Sequence, residues 1–107
     1  MAKPVVFITG GGRRIGAAIS SMLMDSGYFV LIHVRNSIDE AQAIISAHSA
    51  ANNGEISGDI IRADLVNDDI SQLIATIANH PKVIEYGGLF GLINNASVYQ
   101  PISFAEL

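Results

Sequence analysis

The chain has 107 residues, a net charge of −4, a 50% hydrophobic and 15% charged composition, and no cysteine. These values suit one domain with a sizeable core; they exclude a disordered chain or a disulfide scaffold and argue against a dedicated nucleic-acid binder, which needs a basic stripe. No apolar run approaches the ~20 residues of a bilayer span and Met1-Ala2-Lys3-Pro4 lacks a signal-peptide layout, so a soluble, cytoplasmic protein without a membrane partner is expected.

In chain order, Pro4 to Thr9 reads as a buried strand. Ile15, Ala18, Ile19, Met22 and Leu23 then fall at helical spacing, with Gly27 as the stop. Tyr28 to Val34 is a second strand, rich in aromatic and β-branched residues. Ser37 with Glu40 forms a capping-box pattern for a helix to about Ala51, whose inner face is Ala41, Ile44, Ile45 and His48. Ile56 to Arg62 is a third strand. Asn67 is placed to cap a third helix, with Ile70, Leu73, Ile74, Ile77 and Ala78 on its face, ending near His80-Pro81. Leu89 to Ile93 is a fourth strand, and Ser103 to Leu107 reads as the first turn of another helix. Strands alternating with helices in the order β-α-β-α-β-α-β predict an α/β domain with a parallel sheet and right-handed crossovers.

The most informative segment is Thr9 to Gly16, T-G-G-G-R-R-I-G, lying between the first strand and the first helix. A strand, a glycine-rich turn and a helix N-terminus make a phosphate cradle, because backbone N–H groups and the positive dipole end face an approaching anion. Gly10 suits the tight turn, and Gly16 suits close packing of helix on sheet. Arg13 and Arg14 add positive charge. The three histidines lack metal-ligand spacing, so no metal is expected.

Two more signatures follow strands three and four: Asp64-Leu65 and Asn94-Asn95-Ala96-Ser97. Together with the loop they resemble the short-chain dehydrogenase/reductase family, and Arg14, Ser97 and the run His33-Val34-Arg35-Asn36-Ser37 look most like its pteridine reductase branch. The resemblance implies a doubly wound Rossmann-type sheet, here truncated after the fourth strand: residues 1–107 would be the NADP-binding half-domain of a longer chain. It implies backbone N–H groups from Arg13 to Ile15 at the pyrophosphate. Strand two ends without a carboxylate before Asp39, so Arg13 and Arg35, with Asn36 and Ser37, are expected to clamp the 2′-phosphate of NADP rather than the ribose hydroxyl of NAD. His33 either joins that cluster or is a packed core histidine; Arg35 is otherwise a solvated surface group. Asp64 and Leu65 would meet the adenine, or Asp64 merely leads the turn into the third helix. Asn95 and Ala96 would line the nucleotide and brace the central strands, with Ser97 near the nicotinamide-side phosphate. Tyr99 would stack on a flat substrate, or simply pack, and Arg14 would reach both cofactor and substrate.

Catalysis in this family uses a tyrosine with a lysine four residues on. Four residues beyond Tyr28, Tyr86 and Tyr99 stand Ile32, Phe90 and Ser103, and the lysines are Lys3 and Lys82. No catalytic residue is therefore assigned, and the chain alone is expected to bind without turnover. The expected function is the nucleotide-binding half of an NADPH-dependent oxidoreductase acting on a small pteridine or carbonyl-type molecule. The alternative is a non-catalytic nucleotide-binding or interaction module. The fourth strand, apolar and expected at an open edge, predicts a homo-oligomer.

Overall fold

A computed structural model describes residues 2–96. Its elements in chain order are β1 (Val5–Thr9), α1 (Arg14–Asp25), β2 (Phe29–Val34), α2 (Ile38–Ala51), β3 (Gly58–Arg62), α3 (Ile70–Ala78), α4 (Pro81–Tyr86) and β4 (Gly91–Asn94). The strands form one sheet in the order β3-β2-β1-β4, and every pair is parallel. The chain steps outward from β1 to β2 and β3, then returns to the other side of β1 with β4. That reversal opens a crevice at the carboxyl ends of β1 and β4, where sheets of this kind bind ligands.

Alternation along the central strands builds a core on each face. Ile8, Val30, Ile32 and Val34 pack against Met24 of α1 and against Ala41 and Ile45 of α2. Val5, Phe7, Phe29, Leu31 and Ile61 pack against Val83 of α4, with Leu73 and Ile77 of α3 at the margin. Every residue of β1 and β2 is buried, as expected for inner strands covered on both faces. The doubly wound α/β class predicted from the sequence is the observed one.

Several local expectations are corrected. The buried stripe of α1 is Gly16, Ser20 and Met24, whereas Ile15 is 72% and Met22 59% exposed. The helix lies too close to the loop for large side chains there: the Ser20 hydroxyl donates to Gly11 O at 2.9 Å. Ser37 is the N-cap residue of α2 but makes no side-chain cap hydrogen bond, so the predicted capping box does not form. Asp69, not Asn67, caps α3 by accepting from Ser71 N at 2.9 Å. Asn67 is held back by Asp64, to which it donates from N and Nδ2 at 3.2 and 3.0 Å.

The third helix ends at Ala78, just before His80-Pro81 as expected, but the spacing does not predict α4, which starts at Pro81, where the fixed φ and missing N–H cost nothing. The strand edges shift as well. β3 begins at Gly58 rather than Ile56, and β4 runs from Gly91 to Asn94 rather than from Leu89 to Ile93. The predicted turn at Ser103 to Leu107 lies outside the described residues.

Candidate functional site

The crevice is a cleft of about 530 Å³ lined by Gly10, Gly12, Arg13, Arg14, Ile15, Gly16, His33, Val34, Arg35, Ser37, Asn95 and Ala96. Most of the residues predicted from the sequence are therefore brought together. Asn36, Asp64 and Leu65 do not line it, and Ser97 and Tyr99 lie outside the described residues.

The floor is the glycine-rich turn, and the packing explains its composition. Gly10 sits at φ +64, and a Cβ there would approach Ala96 Cα at 3.1 Å. A Cβ on Gly16 would lie 2.1 Å from Gly10 O, so this residue must be glycine for α1 to start where it does. A Cβ on Gly11 or Gly12 would also overlap neighbours, at 2.7 Å from Ile8 Cγ2 and 2.8 Å from Val34 Cγ1 respectively. These two were not singled out from the sequence; three successive glycines were the available signal. Arg13, the N-cap of α1, makes no side-chain cap hydrogen bond, so the first-turn amides are left to the cleft.

Thr9 is a hub that sequence reasoning missed. Its hydroxyl accepts from Asn95 N at 2.9 Å and Ala96 N at 3.0 Å and stands 3.2 Å from Asn94 Oδ1. Asn95 Nδ2 donates to Gly10 O at 3.1 Å. The carboxyl ends of β1 and β4 are thereby clamped, which is the bracing expected of Asn95.

His33 is buried, 3% exposed, with both ring nitrogens engaged: Nδ1 lies 2.9 Å from Gly10 N and Nε2 2.9 Å from Ala63 O. Arg13 and Arg14 are exposed. The Arg35 side chain, 67% exposed, pairs with Asp64 at 3.5 Å. Asp64 serves its turn, accepting from Val66 N at 3.0 Å as well as from Asn67. The Asn67 side-chain amide, then the Val66 N–H, and to a smaller degree Arg35 hold its carboxyl below the usual carboxylate range. A lowered folded-state value means stability that is present above the ordinary range and lost as pH falls through the lowered value. Denaturation midpoints of wild type and Asp64→Asn are therefore expected to differ at neutral pH, wild type being more stable, and to converge in strong acid.

Arg14 adopts φ +51, a left-handed conformation that costs a non-glycine residue about 1–2 kcal/mol. Arg14→Gly is expected to raise stability by about 0.5–1 kcal/mol after allowing for the greater chain entropy of glycine. It is also expected to weaken anion binding. Urea denaturation checks the first effect; a lower midpoint would contradict it.

The short chain dehydrogenase family model matches residues 4–107. Elsinochrome reductase 1 of Elsinoe fawcettii is 35% identical over 103 residues, which are 96% of this chain and 35% of that protein. The short-chain dehydrogenase/reductase homolog YusS of Bacillus subtilis strain 168 is 30% identical over 104 residues, 96% of this chain and 88% of that protein. Among solved structures, FolM Alternative dihydrofolate reductase 1 from Brucella canis complexed with NADP superposes with a TM-score of 0.71 at 30% identity, covering 97% of this chain and 39% of that one. The chain spans little more than a third of the first and third of these proteins.

Proposed function

The chain belongs to the short chain dehydrogenase family, and from that premise we propose that residues 1–107 are the NADP-binding part of an oxidoreductase that reduces a pteridine or carbonyl-type substrate. One observation carries this reading: the cleft at the switch point holds Arg13, Arg14 and Arg35, and among the described residues no acidic one lines it. An acidic residue at the end of β2 would repel a 2′-phosphate; arginine attracts it. A Cβ at Gly10 or Gly16 would press on the protein's own atoms, so glycine at these positions keeps α1 close to the turn and its first-turn amides at the cleft.

In this reading the Arg13–Ile15 amides hold the pyrophosphate, with Gly10 making the tight turn and Gly16 letting α1 pack close to the sheet. Arg13, Arg35, Asn36 and Ser37 take the 2′-phosphate, Asp64 and Leu65 stand toward the adenine, and Asn95, Ala96 and Ser97 line the nicotinamide side. Arg14 and Tyr99 orient the substrate. Bound NADPH supplies a hydride. The pteridine class is favoured by the positive-φ Arg14, by His33 to Ser37, and by the likeness to FolM. The chain lacks a tyrosine followed by lysine at four residues, so binding without turnover is its expected behaviour.

Mixing the chain with NADPH and a dihydropteridine tests this. NADPH fluorescence is expected to change on binding while its absorbance persists. Absence of binding would refute the cofactor reading; steady consumption of NADPH would refute the requirement for a tyrosine–lysine pair.

A second reading, an interaction module that self-associates, is favoured by the apolar edge. Among the described residues β4 pairs only with β1. Leu92 is 62% and Phe90 56% exposed, beside an apolar groove of about 590 Å³ between α3, α4 and β4. Unpaired apolar strand edges invite pairing. Light scattering is expected to show oligomers at high concentration; a monodisperse monomer would contradict it.

A further inference from the structure

We infer that the neutral imidazole of His33 is the latch that holds the glycine-rich turn in its phosphate-binding shape, and that protonating it releases the turn and weakens NADP binding. The inference rests on the NADP reading and adds to it a positioning residue and a proton dependence.

The geometry decides the tautomer. Gly10 N–H can only donate, so Nδ1, 2.9 Å away, must carry a lone pair. Nε2 then carries the hydrogen and donates to Ala63 O at 2.9 Å. A second tie runs through the backbone, where Gly11 N donates to His33 O at 3.1 Å. The turn leaving β1 is therefore fastened to β2 by the ring and by the carbonyl of one residue. Through Ala63 the same ring fixes the end of β3.

With both ring nitrogens committed, His33 acts on the phosphate site through Gly10 rather than as a direct ligand. Adding a proton places an N–H at Nδ1 against the Gly10 N–H, which turns a hydrogen bond into an opposition of two donors. Gly10 is the residue at φ +64 whose carbonyl is also held by Asn95. Losing its amide partner frees the hinge from which the Gly11–Ile15 amides are presented.

Among the described residues, the surroundings contain little that would compensate a new positive charge on the ring. β1 presents Phe7, edge-on with ring centroids 6.3 Å apart. The face that Phe7 and Leu31 share is covered by α3 and α4; α3, Ile70–Ala78, has no titratable residue, and α4 carries Lys82, Glu85 and Tyr86, with Lys82 and Glu85 paired at 3.6 Å. The charged groups lining the same cleft are Arg13, Arg14 and Arg35, all cationic. Asp64, the residue after Ala63, is engaged by Arg35 and its own turn.

The test combines NADPH titrations with nitrogen-15 NMR of the protein without cofactor, from about pH 8 down to the acid limit of the folded state, the ring nitrogens reporting protonation directly; a ring that stays neutral throughout would overturn the proton dependence. Wild type is expected to show a protonated Nε2 and a bare Nδ1 at the upper end. The Gly10 amide resonance is expected to move, and its exchange to speed up, in step with His33 protonation. NADPH binding is expected to weaken about tenfold over the same transition, the effect of one lost hydrogen bond.

His33→Asn supplies an oxygen acceptor that cannot titrate and is expected to abolish the part of the pH dependence that His33 carries. Any contribution from the cofactor's own 2′-phosphate remains in this variant, so the difference from wild type isolates the latch. His33→Leu is expected to weaken NADPH binding at every pH. An Nδ1-protonated tautomer, a Gly10 amide indifferent to His33 protonation, or a wild-type pH dependence retained in His33→Asn would each overturn the inference. Failure of wild type to bind NADPH at all would refute the cofactor reading, and the amide measurements would still decide the latch.

Discussion

Replacing Gly16 by alanine is expected to destabilise the protein by about 2 kcal/mol and to lower NADPH affinity by more than about tenfold. The added Cβ would sit 2.1 Å from Gly10 O, 2.9 Å from Gly10 C and 2.6 Å from Asn95 Nδ2. Two of these atoms are backbone and cannot swing aside, so α1 must lift away from the turn. Lifting strains the Ser20–Gly11 bond, and any overlap that remains pushes on the Asn95–Gly10 bond. Overpacking of this kind costs about 3 kcal/mol, and the better helix propensity of alanine returns only about 1 kcal/mol. Gly91→Ala is the control. Among the described residues its Cβ meets only Val6 Cγ2, at an ordinary 3.8 Å, and a change within about 0.5 kcal/mol is expected. Urea denaturation of both variants checks the contrast; equal midpoints would show that the close approach at Gly16 is not a constraint.

Removing the two arginines proposed to clamp the 2′-phosphate is expected to have the largest effect on specificity. Arg13→Ala/Arg35→Ala should weaken NADPH binding roughly 10- to 100-fold, since each hydrogen bond to a charged group contributes about 1.5–3 kcal/mol before screening. The lower end is favoured because Arg35 is two-thirds exposed and shares its charge with Asp64. NADH, which lacks the phosphate, should bind within about two- to threefold of wild type. Parallel losses for both cofactors would instead mean that the arginines serve the turn or the pyrophosphate.

The parts of this structure legible in the sequence are those set by local physics. Uninterrupted apolar runs marked β1 and β2, because strands covered on both faces need no alternation. The brace at Asn95 is implied by the family resemblance of Asn94-Asn95-Ala96-Ser97, and local spacing alone does not give it. Apolar spacing gives only part of the α1 stripe: Ile19 and Leu23 pack against the core as expected, whereas the helix turns Gly16 and Ser20, not Ile15 and Met22, inward to reach the turn. The break at Pro81 was ambiguous, since proline both stops one helix and starts the next. Asp64 and Asn67 were given separate tasks, but their mutual hydrogen bonds left the α3 cap to Asp69.

What stayed hidden depends on pairing across long stretches of chain. The Thr9 hydroxyl meets amides 86 and 87 residues away, and a threonine ending a strand looks like any other β-former. His33 could be read as a ligand or as a core residue. Its contacts with Gly10 and Ala63, 23 and 30 residues distant, exist only once β1, β2 and β3 are laid side by side.

The most direct test is paired calorimetric titration of NADPH and NADH into the protein at one pH and ionic strength. Tighter binding of NADPH, with an advantage that shrinks as salt screens the arginines, is the expected result. Equal or tighter binding of NADH would contradict the assignment of this cleft to NADP.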